Sequence, residues 1–394
     1  MHDVIVVGGG PAGCHVAARL AGLGHRVLVL ERKTGPGEKA ACTGIVGTEC
    51  VATFKIDDDV ILRKVNSATL FSPSGNRLHL RRGGTQACIL DRAAFDRAMA
   101  SRAQRAGAEF SYDSRVTGVN TSADHAEVTV SRRGRELVFP ARAVVIASGF
   151  SPNLIGKLGL GGYRDFAIGV QVEVPAPDIS EVEVHFGKVA PGFFGWLVPA
   201  APPLVRVGLL GREKPGGYLK KWLAQLAAEG RIAAAGAEIS YGGIPLRPPA
   251  RTYSERLLVV GDAAGQVKPT SGGGIYYGLI GAETAAATLH GALAEGDLSA
   301  ARLARYERGW RKRLGGELRT GYWARRLFER LTDRQIDRLF EVVRAGGIDK
   351  ALLNAPDLSF DWHGRTVRRL LKYRVVAAAM DVIRLPFGSG RIDR

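Results

Sequence analysis

The sequence predicts an α/β fold: a parallel, helix-flanked sheet, an inserted and mostly antiparallel β domain, and a helical C-terminal region. Three observations carry this. An apolar strand, an amphipathic helix and a second apolar strand follow one another within the first 31 residues. Residues 161–245 alternate apolar and polar in short runs such as "EVEVHF" and "PLVRVGLL". The last ninety residues interleave Arg and Leu at helical spacing.

Element by element, "DVIVVG" at 3–8 reads as a buried strand, 11–24 as a helix and "HRVLVLE" at 25–31 as the next strand. Residues 32–62 read as Gly-rich loop and then polar chain. The stretch 65–90 alternates like strands, with a hairpin signal at Ser74-Gly75-Asn76. "DRAAFDRAMASRAQRAG" at 91–107 predicts an amphipathic helix ending at Gly107. "ARAVVIASG" at 141–149 is another buried strand, and "RLLVVGDAAG" leads into a helix over 275–293. The expected division is a nucleotide domain from 1–62, 88–160 and 246–295, a β domain from 63–87 and 161–245, and a basic helical region over 296–394.

At 394 residues, one core is stretched, which favours two or more domains. The charge is +17, and residues 301–394 hold 22 Lys/Arg against 11 Asp/Glu. Such a balance points to anionic partners. Cys14, Cys42, Cys50 and Cys88 show no metal-like pairing and are too few for a disulfide scaffold, which suits a reducing compartment. No His spacing suggests a metal site. With a strand beginning almost at Met1 there is no room for a signal peptide, and no run of 18 uncharged apolar residues suggests a membrane span. A cytoplasmic protein, peripheral at most to the inner face of a membrane, is expected.

Gly8, Gly10 and Gly13 stand in GxGxxG order between the first strand and its helix, and Glu31 closes the second strand. In that context the motif is specific. Gly8 permits the turn, Gly10 lets a pyrophosphate approach the backbone, and Gly13 lets helix and strand pack closely. The helix N-terminus offers free N–H groups to phosphate. Glu31 suits the two hydroxyls of an adenosine ribose and argues against a 2′-phosphate. The first domain is thus Rossmann-like, and its ligand FAD or NAD.

"VVGDAAGQVKPTSGGGIYYGLIGAE" at 259–283 decides between them. It resembles the second fingerprint of the p-hydroxybenzoate-hydroxylase-like flavoproteins, a strand ending in Gly-Asp and a Pro- and Gly-rich turn into a helix. The resemblance implies FAD, with Gly261 and Asp262 on its ribitol or pyrophosphate side. Pro269 and Gly272, Gly273 and Gly274 would lie against the isoalloxazine ring. The helix from Ile275 would aim its positive end at the flavin, favouring the reduced anion.

Within that superfamily the chain resembles the geranylgeranyl reductase family over roughly residues 1–290. The segments that carry this are 259–283, "DRAAFDRAMASRAQRAGAEF" with Arg92 placed near the cofactor, "GFFGWLVPAAPPLVRVGLL" and "ACTGIVGTEC". By position Phe194, Trp196 and Pro199 match the family's aromatic-x-Trp-x-x-Pro strand, and Cys42 its flavin-side Cys. The chain departs from the pattern with Thr43 before Gly44, with Ser148-Gly149 in place of Asp-Gly, and with Ala200 where a basic residue often follows. The Ser148 departure bears on a nicotinamide donor, not on FAD.

The resemblance implies saturation of isoprenoid carbon–carbon double bonds, a hydride from reduced flavin and a proton from a nearby group. Cys42 and Tyr276, with Tyr277 beside it, are candidate proton donors. Phe193, Phe194 and Trp196 are candidate substrate residues. The electron donor is left open between a ferredoxin-like protein and NAD(P)H. The apolar, cationic stretch 366–387 reads as a membrane-surface helix, so an anionic membrane is an expected partner. A flavin monooxygenase or halogenase shares the scaffold, but the sequence holds only one Trp of the halogenase element, Trp196. No nucleic-acid fingerprint accompanies the charge, and no nucleic acid is expected.

Overall fold

A computed structural model describes residues 1–38, 42–176, 178–233, 236, 238–355 and 358–372. The predicted strand–helix–strand start is present as His2–Val7, Pro11–Ala21 and Val27–Leu30, with the two strands parallel. They sit at the centre of a sheet ordered Tyr253–Ser254, Leu257–Val259, Arg135–Ile146, His2–Val7, Val27–Leu30, Glu109–Ser111. All neighbours there are parallel except the first pair. Strands Arg115–Thr121 and Ala126–Arg132 extend Arg135–Ile146 as an antiparallel meander. Val4, Ile5 and Val6 are fully buried: Val4 and Val6 pack against helices Pro11–Ala21 and Ile275–Glu295, and Ile5 packs against Ala126, Val128 and Val130 of the meander and Ile155 of the short helix Pro152–Lys157.

Helix Arg92–Arg105 starts where Asp91 accepts a hydrogen bond from Ala94 N–H at 2.9 Å, and Gly107 follows it at φ +102°. Its apolar side, Phe95, Met99 and Ala103, joins one core with helix Ile275–Glu295 and with Leu303, Tyr306 and Trp310 of helix Ala300–Phe328.

A second, seven-stranded sheet is ordered Ser240–Pro245, Phe166–Pro175, Leu204–Gly211, Gly195–Pro199, Val182–His185, Ser67–Phe71, Arg77–Arg81. It is antiparallel except where Val182–His185 runs parallel to Ser67–Phe71. The hairpin at Ser74-Gly75-Asn76 joins its last two strands, with Gly75 at φ +86°. Helix Pro215–Ala228 covers one face with Leu219, Trp222 and Leu226.

Two local readings change. Within 32–62, Ile45–Gly47 is a strand and Thr48–Phe54 a helix, and with Ala87–Leu90 and Ile61–Val65 that strand forms a third, small sheet. The β region also contains the Pro215–Ala228 helix. The C-terminal region is helical over Ala300–Phe328, Asp333–Ala345, Ile348–Leu353 and His363–Lys372. Most of the expected membrane-surface stretch, residues 373–387, lies outside the described residues. Among the described residues no helix is long and apolar enough to cross a membrane.

Candidate functional site

The first strand delivers the chain to Gly8 at φ +107°, where a side chain would overlap the carbonyl of Ala147. A side chain on Gly13 would overlap the carbonyl of Gly8. Both glycines are therefore demanded by packing. Gly10 differs: no protein atom lies within 4 Å of where its Cβ would stand. It caps helix Pro11–Ala21 with no side-chain bond, so the first-turn N–H groups face open space beside it. Glu31 closes the far wall, accepting from Gly9 N–H at 2.6 Å and Lys33 N–H at 2.9 Å. Each carboxylate oxygen keeps a lone pair for another donor.

The second glycine-rich segment meets the first. Gly261, at φ +67°, opens a 3-10 turn, and a Cβ on Gly278 would lie 3.3 Å from its Cα and 3.7 Å from Ala12 Cβ. Gly272, at φ +75°, lies under Ile244, 2.9 Å from where a Cβ would be. Gly273 accepts from Lys268 N–H through its carbonyl, and Pro269 faces Gly321 of the long C-terminal helix. The Asp262 carboxylate occupies the space a Gly274 side chain would take, at the uncapped start of helix Ile275–Glu295. Burial pushes this carboxyl up to about 6, with the Arg92 guanidinium pulling the other way.

Arg92 donates to Asp96 at 2.7 Å. Burial opposes its charge, but the Cys42 sulfur and the Asp96 carboxylate outweigh that and raise its pKa. The Cys42-Thr43-Gly44 loop rests on it: a Cβ on Gly44 would lie 3.1 Å from both Arg92 Cγ and Arg206 Nη1. Cys42 Sγ accepts from Gly44 N–H at 3.4 Å. Arg206, buried, donates to the carbonyls of Thr43 at 2.7 Å and Leu90 at 3.0 Å, and to Glu173 at 2.9 Å. The Thr43 hydroxyl donates to Gln171 Oε1 at 3.1 Å, and the Trp196 indole N–H donates to the same oxygen at 3.2 Å. Gln171 thereby ties the Cys42 loop to the large antiparallel sheet.

The structure thus gathers Cys42, Arg92, Asp262 and, through Gln171, Trp196, with Phe194 6.0 Å from the Trp196 ring. Phe193 and Tyr276 stand apart from this group. Phe193 is buried, with the Arg325 guanidinium 4.3 Å above its ring. Tyr276 donates to Glu49 at 2.7 Å and packs on Phe54 and Trp362. Tyr277, beside it, also packs on Trp362.

Sequence reasoning passed over Gln171, Arg206, Lys268 and Asp361. The signal for Arg206 was a lone charge in the apolar strand "PLVRVGLL"; that for Lys268 was a lone lysine in a glycine-rich loop. Lys268 Nζ lies 3.4 Å from Asp361 Oδ1 and donates to Phe360 O at 2.9 Å. The Asp361 carboxylate in turn accepts from Gly47 and Cys50 N–H, both at 3.2 Å, capping helix Thr48–Phe54.

Several polar groups around the cradle are left over. Arg92 Nε and Ser148 Oγ are buried without a partner, and Ser148 borders Gly8. Among the described residues nothing donates to the Asp262 carboxylate. Unpaired buried groups are expensive in a finished core and ordinary at a ligand site.

Comparison with known proteins agrees with this geometry. Residues 2–173 match the pyridine nucleotide-disulphide oxidoreductase family model. A digeranylgeranylglycerophospholipid reductase of Methanocaldococcus jannaschii is 31% identical over 359 residues, covering 87% of this chain and 90% of that protein. The crystal structure of a geranylgeranyl bacteriochlorophyll reductase-like protein from Thermoplasma acidophilum superimposes with a TM-score of 0.84 at 21% identity, over 97% of this chain and 99% of that one. A flavin-dependent brominase shares the fold at a TM-score of 0.73 and 15% identity, over 97% and 98% of the two chains. Two glycine cradles meeting at Gly261 and Gly278, a Cys loop seated on Arg92, and this likeness over nearly the whole length place the chain in the geranylgeranyl reductase family of flavin-dependent oxidoreductases.

Proposed function

We propose that this protein is an FAD-dependent reductase that saturates carbon–carbon double bonds in an isoprenoid chain of the geranylgeranyl type. The observation that carries the reading is a row of part-exposed aromatic rings leading away from the Cys42 loop. Trp196 neighbours Phe194 at 6.0 Å, Phe194 neighbours Phe186 at 6.4 Å, and Phe186 neighbours Phe328 at 5.3 Å and Phe340 at 6.0 Å. Rings that are neither buried nor solvated suit an apolar chain lying along them. A cross-strand partner makes room: a Cβ on Gly208 would lie 2.5 Å from the Trp196 ring.

The residues present fit FAD. The N–H groups beside Gly10 and Gly13 suit a pyrophosphate, Glu31 a ribose, Asp262 the ribitol side, and Gly272, Gly273 and Gly274 the ring. Arg92 Nε and Ser148 Oγ are donors without partners. When bound and reduced, the flavin supplies a hydride to one alkene carbon. The chain's own task is to seat the alkene, exclude water and supply the proton to the other carbon. Cys42 Sγ is the proton donor in this reading. The Gly44 N–H and the Arg92 guanidinium flank that sulfur. The Tyr276 hydroxyl is committed to Glu49, so proton delivery rests on Cys42. An anionic membrane is the expected partner surface, and a ferredoxin-like protein or NAD(P)H the electron donor.

The test is anaerobic. The purified holoprotein is reduced chemically, offered a panel of isoprenoid lipids, and the products are weighed by mass spectrometry. Products heavier by pairs of hydrogens, and a Cys42→Ala variant that binds flavin normally but turns over slowly, support the reading. No mass gain in any lipid, with oxygen or halide incorporated once air and halide are admitted, would replace it with the monooxygenase or halogenase chemistry.

A further inference from the structure

Helix Ala300–Phe328 distributes its charges unevenly. Its acids, and Glu329 just beyond it, all turn inward. Glu307 accepts from Thr252 N–H at 2.8 Å, Glu317 accepts from Gly364 N–H at 2.6 Å, and Glu329 pairs with Arg212 at 3.0 Å. The ion pairs made by its cations use Arg302, Arg311, Arg325 and Arg326. Of the helix's exposed cations that form no ion pair among the described residues, Arg313 lies to one side, and Arg305, Arg308, Lys312 and Arg319 share one face. At about 100° per residue they fall with Gly316 and Trp323 inside an arc of roughly 80°, a stripe about 27 Å long. Trp323 closes it, 66% exposed, the most exposed large apolar side chain among the described residues. Its ring leans on Tyr322 at 5.6 Å rather than into the core.

We propose that this stripe docks the protein on an anionic lipid surface, with Trp323 in the interfacial layer and the four cations over the headgroups. The proposal rests on the lipid substrate of the preceding reading and locates the face that meets the membrane. Charge complementarity calls for an anionic surface without acidic interruption. A nucleic acid would satisfy that too, but two further features favour lipid. A largely exposed indole beside a cationic row is the arrangement of an interfacial anchor. The aromatic row from Trp196 reaches Phe328 on the same helix, so the docked face lies beside one end of the proposed chain path. This places docking on a described helix rather than on the 366–387 stretch.

The experiment is sedimentation of the full-length holoprotein with vesicles of phosphatidylcholine alone or with 30% phosphatidylglycerol, at about 50 mM and 500 mM salt. Binding is expected only to the anionic vesicles and only at low salt. Neutralising three cations, as Arg308→Gln, Lys312→Gln and Arg319→Gln together, should weaken it about 100-fold. Trp323→Ser should weaken it further and remove a blue-shifted component of the vesicle-induced fluorescence. Each variant is also assayed on a short isoprenoid alcohol in detergent, where wild-type turnover is expected. Three results would overturn the proposal: no wild-type binding to anionic vesicles, unchanged binding by the triple variant, or binding to duplex RNA without binding to vesicles. Detergent activity that survives any of these leaves the reductase reading standing, and its absence in the wild type refutes that reading alone.

Discussion

Replacing Asp361 with Ala should destabilise the protein severely, and the size follows from three contacts. Asp361 and Lys268 are 1% and 5% exposed, 3.4 Å apart, and the carboxylate also holds the N–H groups of Gly47 and Cys50. Removing one partner of a buried pair costs about 3–5 kcal/mol, because the other charge stays buried. Loss of the helix cap adds about 1 kcal/mol. Burial already lowers the Lys268 pKa, so the stranded ammonium can shed its proton. The sign follows by linkage: below the folded pKa the penalty is complete, and between the folded and unfolded values the unfolded chain binds more protons, so stability recovers as pH rises. Urea unfolding followed by tryptophan fluorescence, at neutral and alkaline pH, measures this. The double variant Lys268→Met/Asp361→Leu should regain most of the loss, since replacing both charges by apolar groups is near neutral. A single variant within about 1 kcal/mol of wild type, or a double variant no better than the single, would refute the reasoning.

Other outcomes are expected. Gly13→Ala should fail to fold well, because its Cβ meets the Gly8 carbonyl, whereas Gly10→Ala should fold normally and lose flavin, as flavin fluorescence after gel filtration would show. His363 is half-buried between Thr270 at 2.6 Å and the Phe360 carbonyl at 2.8 Å, and desolvation, reinforced by the Lys268 charge, pushes it down to about 3. The unfolded chain takes up this proton near 6.5, so stability should fall as pH drops from about 6.5 toward 3, by up to about 1.4 kcal/mol per pH unit, and His363→Gln should flatten that slope in urea titrations. Asp262 runs oppositely: raised from 3.8 to about 6, it makes the flavin-free protein lose stability as pH rises through that window, by at most about 3 kcal/mol, and Asp262→Asn should remove the loss. Trp196→Ala should raise KM for long isoprenoid chains more than for short ones, as steady-state assays on a chain-length series would reveal.

What the sequence made legible was local. Gly8, Gly10 and Gly13 announce their turn because each glycine answers a constraint a few residues away, and helix Arg92–Arg105 carries its own Asp91 cap and apolar side. The hidden parts depend on distant partners. Helix Thr48–Phe54 looks like polar chain because its cap is supplied by Asp361. Gln171 is one polar residue in an alternating strand until Thr43 and Trp196 arrive at its side-chain oxygen. Phe193 and Phe194 are indistinguishable in sequence, and the bend that leads into strand Gly195–Pro199 sends one into the core and leaves the other part-exposed.

The cap from Asp361 also sets an order of events at the ribosome. Gly47 waits for a residue 314 positions further along the chain. At about 5–20 residues per second, that is roughly 15–60 s of synthesis. Throughout it the strand Ile45–Gly47 and the helix after it have emerged without the group that satisfies their N–H donors. This N-terminal segment is therefore completed only after residue 361 has been made, and a nascent chain stalled before that point should display it to chaperones and proteases.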